Sequence, residues 1–268
     1  MHNLTRSIFA ITLFLTFALP ALADVDLGAE AFNRGDFKTA FREWLPDAEQ
    51  GNSMAQFNLG VLYFTGRGVE KDFEEAFLWF SLSADQGNAS AQFNIGKAYS
   101  RGLGVSRNRA EAIGWYRLAA DQGHADAQYH LGLLFASMES VSENFSRAAR
   151  WYLLAAAQGH AMAQFNLGVL YLNGTGVGQN PQQAAEYFRL AAERGADKAQ
   201  FNLGLMYAMG VGVEENFMLA YKWLSIAADR GHDEAVNRMN LIEDMMTAME
   251  ISQGKQRAED WLEQNRNR

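Results

Sequence analysis

The apolar positions of the chain recur in a fixed pattern with a period of 36 residues. The words "AQFNLGVLY" run from Ala55 to Tyr63, and near-copies begin at Ala91, Ala127, Ala163 and Ala199. Ala55, Leu59 and Leu62 fall on one face of a helix, spaced three and four apart as an amphipathic helix requires. Further on in each copy a second stripe appears at i, i+4 and i+8. It is Ala76, Phe80 and Ala84 in the first copy, with Tyr116, Tyr152, Phe188 and Leu224 at the central position of the others. Small residues admit a neighbouring helix closely and the large ones fill the remaining space, so each unit reads as a pair of packed helices.

Glycine punctuates the pattern. Four units carry Gly-x-Gly-Val between the two stripes, at Gly66/Gly68, Gly102/Gly104, Gly174/Gly176 and Gly210/Gly212. Glycine takes positive φ at little steric cost, which predicts a tight turn between helices. Gly87, Gly123, Gly159, Gly195 and Gly231 close the second helices, and Pro181 opens one. Gly60 and its counterparts stand in mid-helix, at about 1 kcal/mol against Ala, so close passage of the partner helix is expected there. The third unit has Met138 and Ser140 in place of the turn glycines without a change of length. Its backbone either avoids positive φ or adopts it at a cost.

The pattern sets the boundaries of the domain organisation. Residues 24–52 read as an N-terminal helix pair, with Gly28 and Ala40 closer together than Gly60 and Ala76. Five units follow, at 53–88, 89–124, 125–160, 161–196 and 197–232. Residues 233–268 read as a degenerate repeat helix and a capping helix, because Ala258, Trp261 and Leu262 give an otherwise polar segment one apolar stripe. The fold expected is an all-α solenoid. The unit A-x-x-x-L-G-x-x-Y, G-x-G-V, A-x-x-W-Y-x-x-A-A-x-x-G resembles the Sel-one-like repeat (SLR) family, a relative of the tetratricopeptide repeats, over residues 27–240. The resemblance implies an α/α superhelix of antiparallel helix pairs with a concave face, and an adaptor holding other proteins together in signalling or envelope-related assemblies.

Residues 1–23 differ from the rest. Arg6 precedes the apolar run Ile8 to Leu19, then come Pro20 and small residues at Ala21 and Ala23. This twelve-residue run is too short to span a bilayer, where about 20 residues are needed, and fits a cleavable secretory signal. Export to a periplasm or beyond is expected, with a Gram-negative source suggested by the signal and the unbroken array; a eukaryotic secretory origin stays open. Net charge is −8 with no basic run, which excludes a nucleic-acid footprint and electrostatic docking to anionic lipid. No second long apolar run follows, so no integral membrane segment is expected in the mature chain. There are no cysteines, consistent with one long core that needs no disulfide staple.

Candidate chemistry is sparse. His124, His160 and His232 share one repeat position at helix starts and are too far apart to share a metal. No nucleophile motif, phosphate loop or zinc signature is present, so no catalytic, cofactor or metal residues are assigned. An envelope enzyme or glycan binder acting on peptidoglycan or β-lactam-like ligands is the alternative class. A protein or peptide partner is favoured, bound by a chain monomeric in itself. In related tetratricopeptide units the first helix of each pair lines the groove. The groove candidates are therefore Asn58, Asn94, His130, Asn166 and Asn202, with the varying positions Val61, Lys97, Leu133, Val169 and Leu205 and, further along, Phe64, Ser100 and Leu172. They outline an apolar groove with one cation, suited to a segment with apolar anchors and a carboxylate. The Asn column is read either as a ladder for an extended backbone or as a tie between helices.

Overall fold

The computed structural model describes residues 23–138 and 142–266. The expected signal segment, up to residue 22, lies outside them, as does Ser140. The described residues form fourteen helices and no strand. A first pair is α1 (Ala23–Asn33) and α2 (Phe37–Glu49). Five pairs follow: α3 (Ser53–Thr65) with α4 (Phe73–Asp85), α5 (Ala89–Arg101) with α6 (Arg109–Asp121), and α7 (Ala125–Ala136) with α8 (Ser142–Ala157). Then come α9 (Ala161–Asn173) with α10 (Pro181–Glu193), and α11 (Asp197–Met209) with α12 (Phe217–Asp229). The chain ends in α13 (Asp233–Glu243) and α14 (Ala248–Gln264). Helices pack chiefly on their neighbours along the chain, which makes the array a solenoid.

Local chemistry fixes the helix ends. Asn52, Asp72, Asn88, Asn108, Asn180 and Asn216 accept hydrogen bonds from the first free backbone N–H groups of the helices they precede. Gly66, Gly102, Gly174 and Gly210 close first helices in the left-handed conformation. The second glycine of each turn has a further reason. A Cβ on Gly68 would stand 2.5 Å from the carbonyl of Phe37, so the turn of one unit lies on the backbone that opens the second helix of the preceding pair. Mid-helix glycine is explained likewise: a Cβ on Gly96 would lie 2.6 Å from the Tyr116 ring, and Phe80, Tyr152, Phe188 and Leu224 cover Gly60, Gly132, Gly168 and Gly204.

The third unit solves its turn differently. No described non-glycine residue has positive φ, so Met138 avoids that region; α7 ends at Ala136, capped by Ser137 in right-handed conformation. The following helix starts at Ser142, earlier than the Phe145 that the 36-residue period would give. Arg109 of the preceding unit donates to the carbonyl of Leu134 and the hydroxyl of Ser137, closing the helix end that elsewhere relies on glycine.

A row of buried glutamines ties the pairs together. The Nε2 groups of Gln56, Gln92, Gln128, Gln164 and Gln200 donate at 3.0–3.2 Å to the carbonyls of Ala48, Ala84, Ala120, Ala156 and Ala192, near the end of the preceding helix. Gln86, Gln122 and Gln158 in turn donate to the Oε1 atoms of Gln56, Gln92 and Gln128 at 2.7–2.8 Å. Arg194 and Arg230 occupy that position in the last two units, and the Oε1 atoms of Gln164 and Gln200 are buried there without a partner. At the C-terminal end α14 lies against α12. Ala258, Trp261 and Leu262 join the core cluster of Phe188, Trp223 and Ile226. No helix among the described residues is long and apolar enough to cross a membrane.

Candidate partner-binding face

The expected groove residues stand on the first helices α3, α5, α7, α9 and α11, all partly exposed. Asn58 and Val61 line an open hollow of about 400 Å³ with Ala29, Phe32, Trp44 and Phe57, between α1 and α3. The structure brings Phe64 and Lys97 together across two units: the Lys97 ammonium stands 4.9 Å from the centre of the Phe64 ring. Burial, with Arg101 nearby, pushes the Lys97 pKa below its usual value. At the other end Leu205 lines a second hollow, about 300 Å³, with Ala208, Met209, Leu241, Ile242 and Met245. Met209 and Met245 are more than 60 % exposed, so this end offers adaptable apolar surface. Leu133, Val169 and Leu172 lean on the core clusters beneath them and share neither hollow.

The Asn column divides. Asn94 donates to the carbonyl of Ser90 in its own helix. Asn166 hydrogen-bonds Tyr152 of the preceding unit, and burial pushes that phenol well above its ordinary pKa. His130 stacks on Tyr116 at 5.4 Å between ring centres, while Ser100 hydrogen-bonds that phenol, whose burial raises it to about 12. Asn58 faces the first hollow, and Asn202 is half-buried.

Two of the other histidines cap helix starts, while His232 stands at the same repeat position without a capping bond, its Nδ1 buried and unpartnered among the described residues. His124 and His160 accept from the backbone N–H groups of Ala127 and Ala163 through Nδ1 at 3.3 and 3.2 Å, which places the ring proton on Nε2. His160 Nε2 lies 3.2 Å from Asp126. These rings stack on Phe93 and Tyr129, as His232 does on Phe201. Among the described residues no group of three His, Cys, Asp or Glu side chains could hold a metal ion. The reading of residues missed the glutamine row. Its signal was an unvarying Gln after the Ala that opens each copied segment, but its acceptors are backbone carbonyls that no side-chain pattern records.

The Sel1 repeat family matches the chain over residues 53–88, 89–124, 125–160, 161–195 and 197–232. Among solved structures, a Sel1 repeat protein from Oxalobacter formigenes is 34 % identical with a TM-score of 0.74, covering 90 % of this chain and 95 % of its own. The c5321 protein, a protective antigen of uropathogenic Escherichia coli with an SLR fold, is 29 % identical with a TM-score of 0.58, covering 90 % of this chain and 60 % of its own. No curated protein matches. Sel1 repeat proteins generally mediate protein–protein interactions and are typically non-enzymatic. With five matched units on a solenoid of helix pairs, this chain belongs to the Sel1 repeat family.

Proposed function

We propose that this protein is an exported adaptor that binds another envelope or secreted protein along the face made by its first helices. One observation carries the reading: that face has an apolar hollow at each end, with a half-buried cation between them at Lys97. Among the described residues the ammonium makes no salt bridge, and the Asp126 carboxylate only partly offsets burial and Arg101, so a carboxylate from a partner restores what burial removed. Apolar anchors for the two hollows and an acidic group between them describe the partner segment. Export is supported by the charge-poor, apolar opening of the sequence.

The test is a pull-down from the native envelope with the tagged chain from Asp24 onward, under mild crosslinking, beside a Lys97→Glu variant. One stoichiometric protein partner is expected, its recovery falling about tenfold with Lys97→Glu at an unchanged melting temperature, the equivalent of about 1.4 kcal/mol. Recovery of glycan fragments, or equal recovery by both chains, overturns the reading.

A further inference from the structure

The second helices form the opposite face, which the proposed adaptor groove does not use. Its surface is unusually apolar in one register: Leu82, Leu118 and Leu154 are each 41–50 % exposed, beside half-buried Trp79, Trp115 and Trp151, with Leu78 exposed one turn before Leu82. The same register in the last full unit looks different. Trp223 and Ile226 stand where Trp151 and Leu154 stand two units earlier, yet they are 5 % and 0 % exposed. The cause is α14. Gly254 crosses Tyr221, and Trp261 sets its ring edge-on to Trp223 at 6.0 Å, with Ala258 and Leu262 completing the packing. The protein thus shows on its own surface how a helix docks on this register.

Two units back no helix among the described residues covers it. Arg117, Phe135, Arg147, Arg150, Trp151 and Leu154 line an open hollow of about 440 Å³ between α6 and α8. Arg147 pairs with Glu143, but Arg117 and Arg150 make no salt bridge among the described residues. At the covered site the counterpart of Arg117 is Arg189, held by Glu186 and Glu193, and the counterpart of Arg147 is Leu219. The counterpart of Arg150 is Lys222, which stands 4.3 Å from the centre of the Trp223 ring and likewise makes no salt bridge among the described residues. The open hollow thus gathers three guanidinium groups, two of them without a salt bridge among the described residues, on a chain whose net charge is −8. Helix α14 itself carries its anchor among carboxylates, as Glu259, Asp260, Trp261 and Glu263.

We propose that the groove between α6 and α8 is a second docking site, for a partner-protein helix with an aromatic anchor flanked by carboxylates. The anchor lies against Trp151 and Leu154 as Trp261 lies against Trp223, and the carboxylates meet Arg117 and Arg150. This site is independent of Lys97 and of the hollows on the other face.

The probe is a fluorescein-labelled synthetic peptide with the sequence of residues 247–266, titrated with the chain from Asp24 onward and followed by fluorescence anisotropy. Saturable one-to-one binding is expected, weakening with added salt and falling at least tenfold with Arg150→Glu, with Leu154→Glu, or with alanine in place of the peptide's tryptophan. Both chain positions are exposed, so melting temperatures of those variants should match the parent. Absence of saturable binding overturns the proposal. So does binding indifferent to Leu154→Glu, which would mean exchange with α14 on α12, and so does equal displacement by inorganic phosphate from a peptide lacking the tryptophan.

Discussion

Arg194→Gln should stabilise this protein. In the first three full units a glutamine at that position donates to the buried glutamine of the row: Gln122 to Gln92, for example, at 2.7 Å. Arg194 breaks the series, and the Oε1 of Gln164, a residue 2 % exposed, is left buried without a donor. An unmet buried acceptor costs about 1–3 kcal/mol, and a hydrogen bond that satisfies it adds about 1 kcal/mol net. Little is lost in exchange. The guanidinium donates to the Leu190 carbonyl at 3.3 Å, much as Gln122 does to Leu118 at 3.4 Å. The substitution should therefore raise the unfolding free energy by about 1–2 kcal/mol, read from urea titrations followed by circular dichroism and by tryptophan fluorescence together. The second arm is Gln164→Met, which keeps the length of the side chain and removes its polar atoms. It forfeits the bond to the Ala156 carbonyl but also the orphaned oxygen, so it should be near neutral, whereas Gln92→Met loses two satisfied bonds and should cost about 1–3 kcal/mol. Equal losses for the two methionine variants, or a gain from Arg194→Gln that survives in the Gln164→Met background, would refute the reasoning.

Glycines in mid-helix should respond in opposite directions according to what covers them. Gly96→Ala drives a Cβ into Tyr116 and should lower the unfolding free energy by about 1–3 kcal/mol, while Gly114→Ala, exposed in α6 with nothing within 4 Å, should raise it by up to about 1 kcal/mol in the same assay. Stability should also fall in mild acid. Burial lowers the pKa of His124 and His130, so the unfolded chain binds protons first; their contribution is complete above the ordinary histidine pKa and is lost as pH falls from there towards the depressed folded values. Thermal melts between pH 7.5 and 5 should show the decline, and His130→Asn, which installs the residue found in the other units, should reduce it. A pH-independent melting temperature would contradict the assignment of neutral, buried rings.

The helix pairs, their period and the reason for mid-helix glycine were legible because the same requirement was written five times, once per unit. Tyr116 over Gly96 is visible as a fixed offset between a missing side chain and a large one. Features that join unlike partners were not. Arg109 reaching Ser137 occurs once, so no repetition announces it. The extra helical turn at the start of α8 was likewise invisible, because losing two glycines removes a signal without naming its replacement. The candidate groove was legible only as a set of positions. Whether a side chain such as Asn166 points at a partner or at Tyr152 depends on a neighbouring unit's ring, which varies between phenol, phenyl and leucine along the array.

The turn that rests on the preceding unit's backbone bears on how such a chain can change its length. The turn contacts between consecutive regular units recur at the same offset, as Gly68 on Phe37, Gly104 on Phe73, Gly176 on Phe145 and Gly212 on Pro181, so excision or duplication of a whole 36-residue block rejoins matching surfaces. Gene rearrangement can thus resize the array in whole steps while partial steps fail. The junction of the second and third units is the exception: Arg109 and Ser137 form a matched pair, and a crossover that parts them strands a helix end with neither glycine nor guanidinium to close it. A rearrangement that moves those two units together leaves the pair intact.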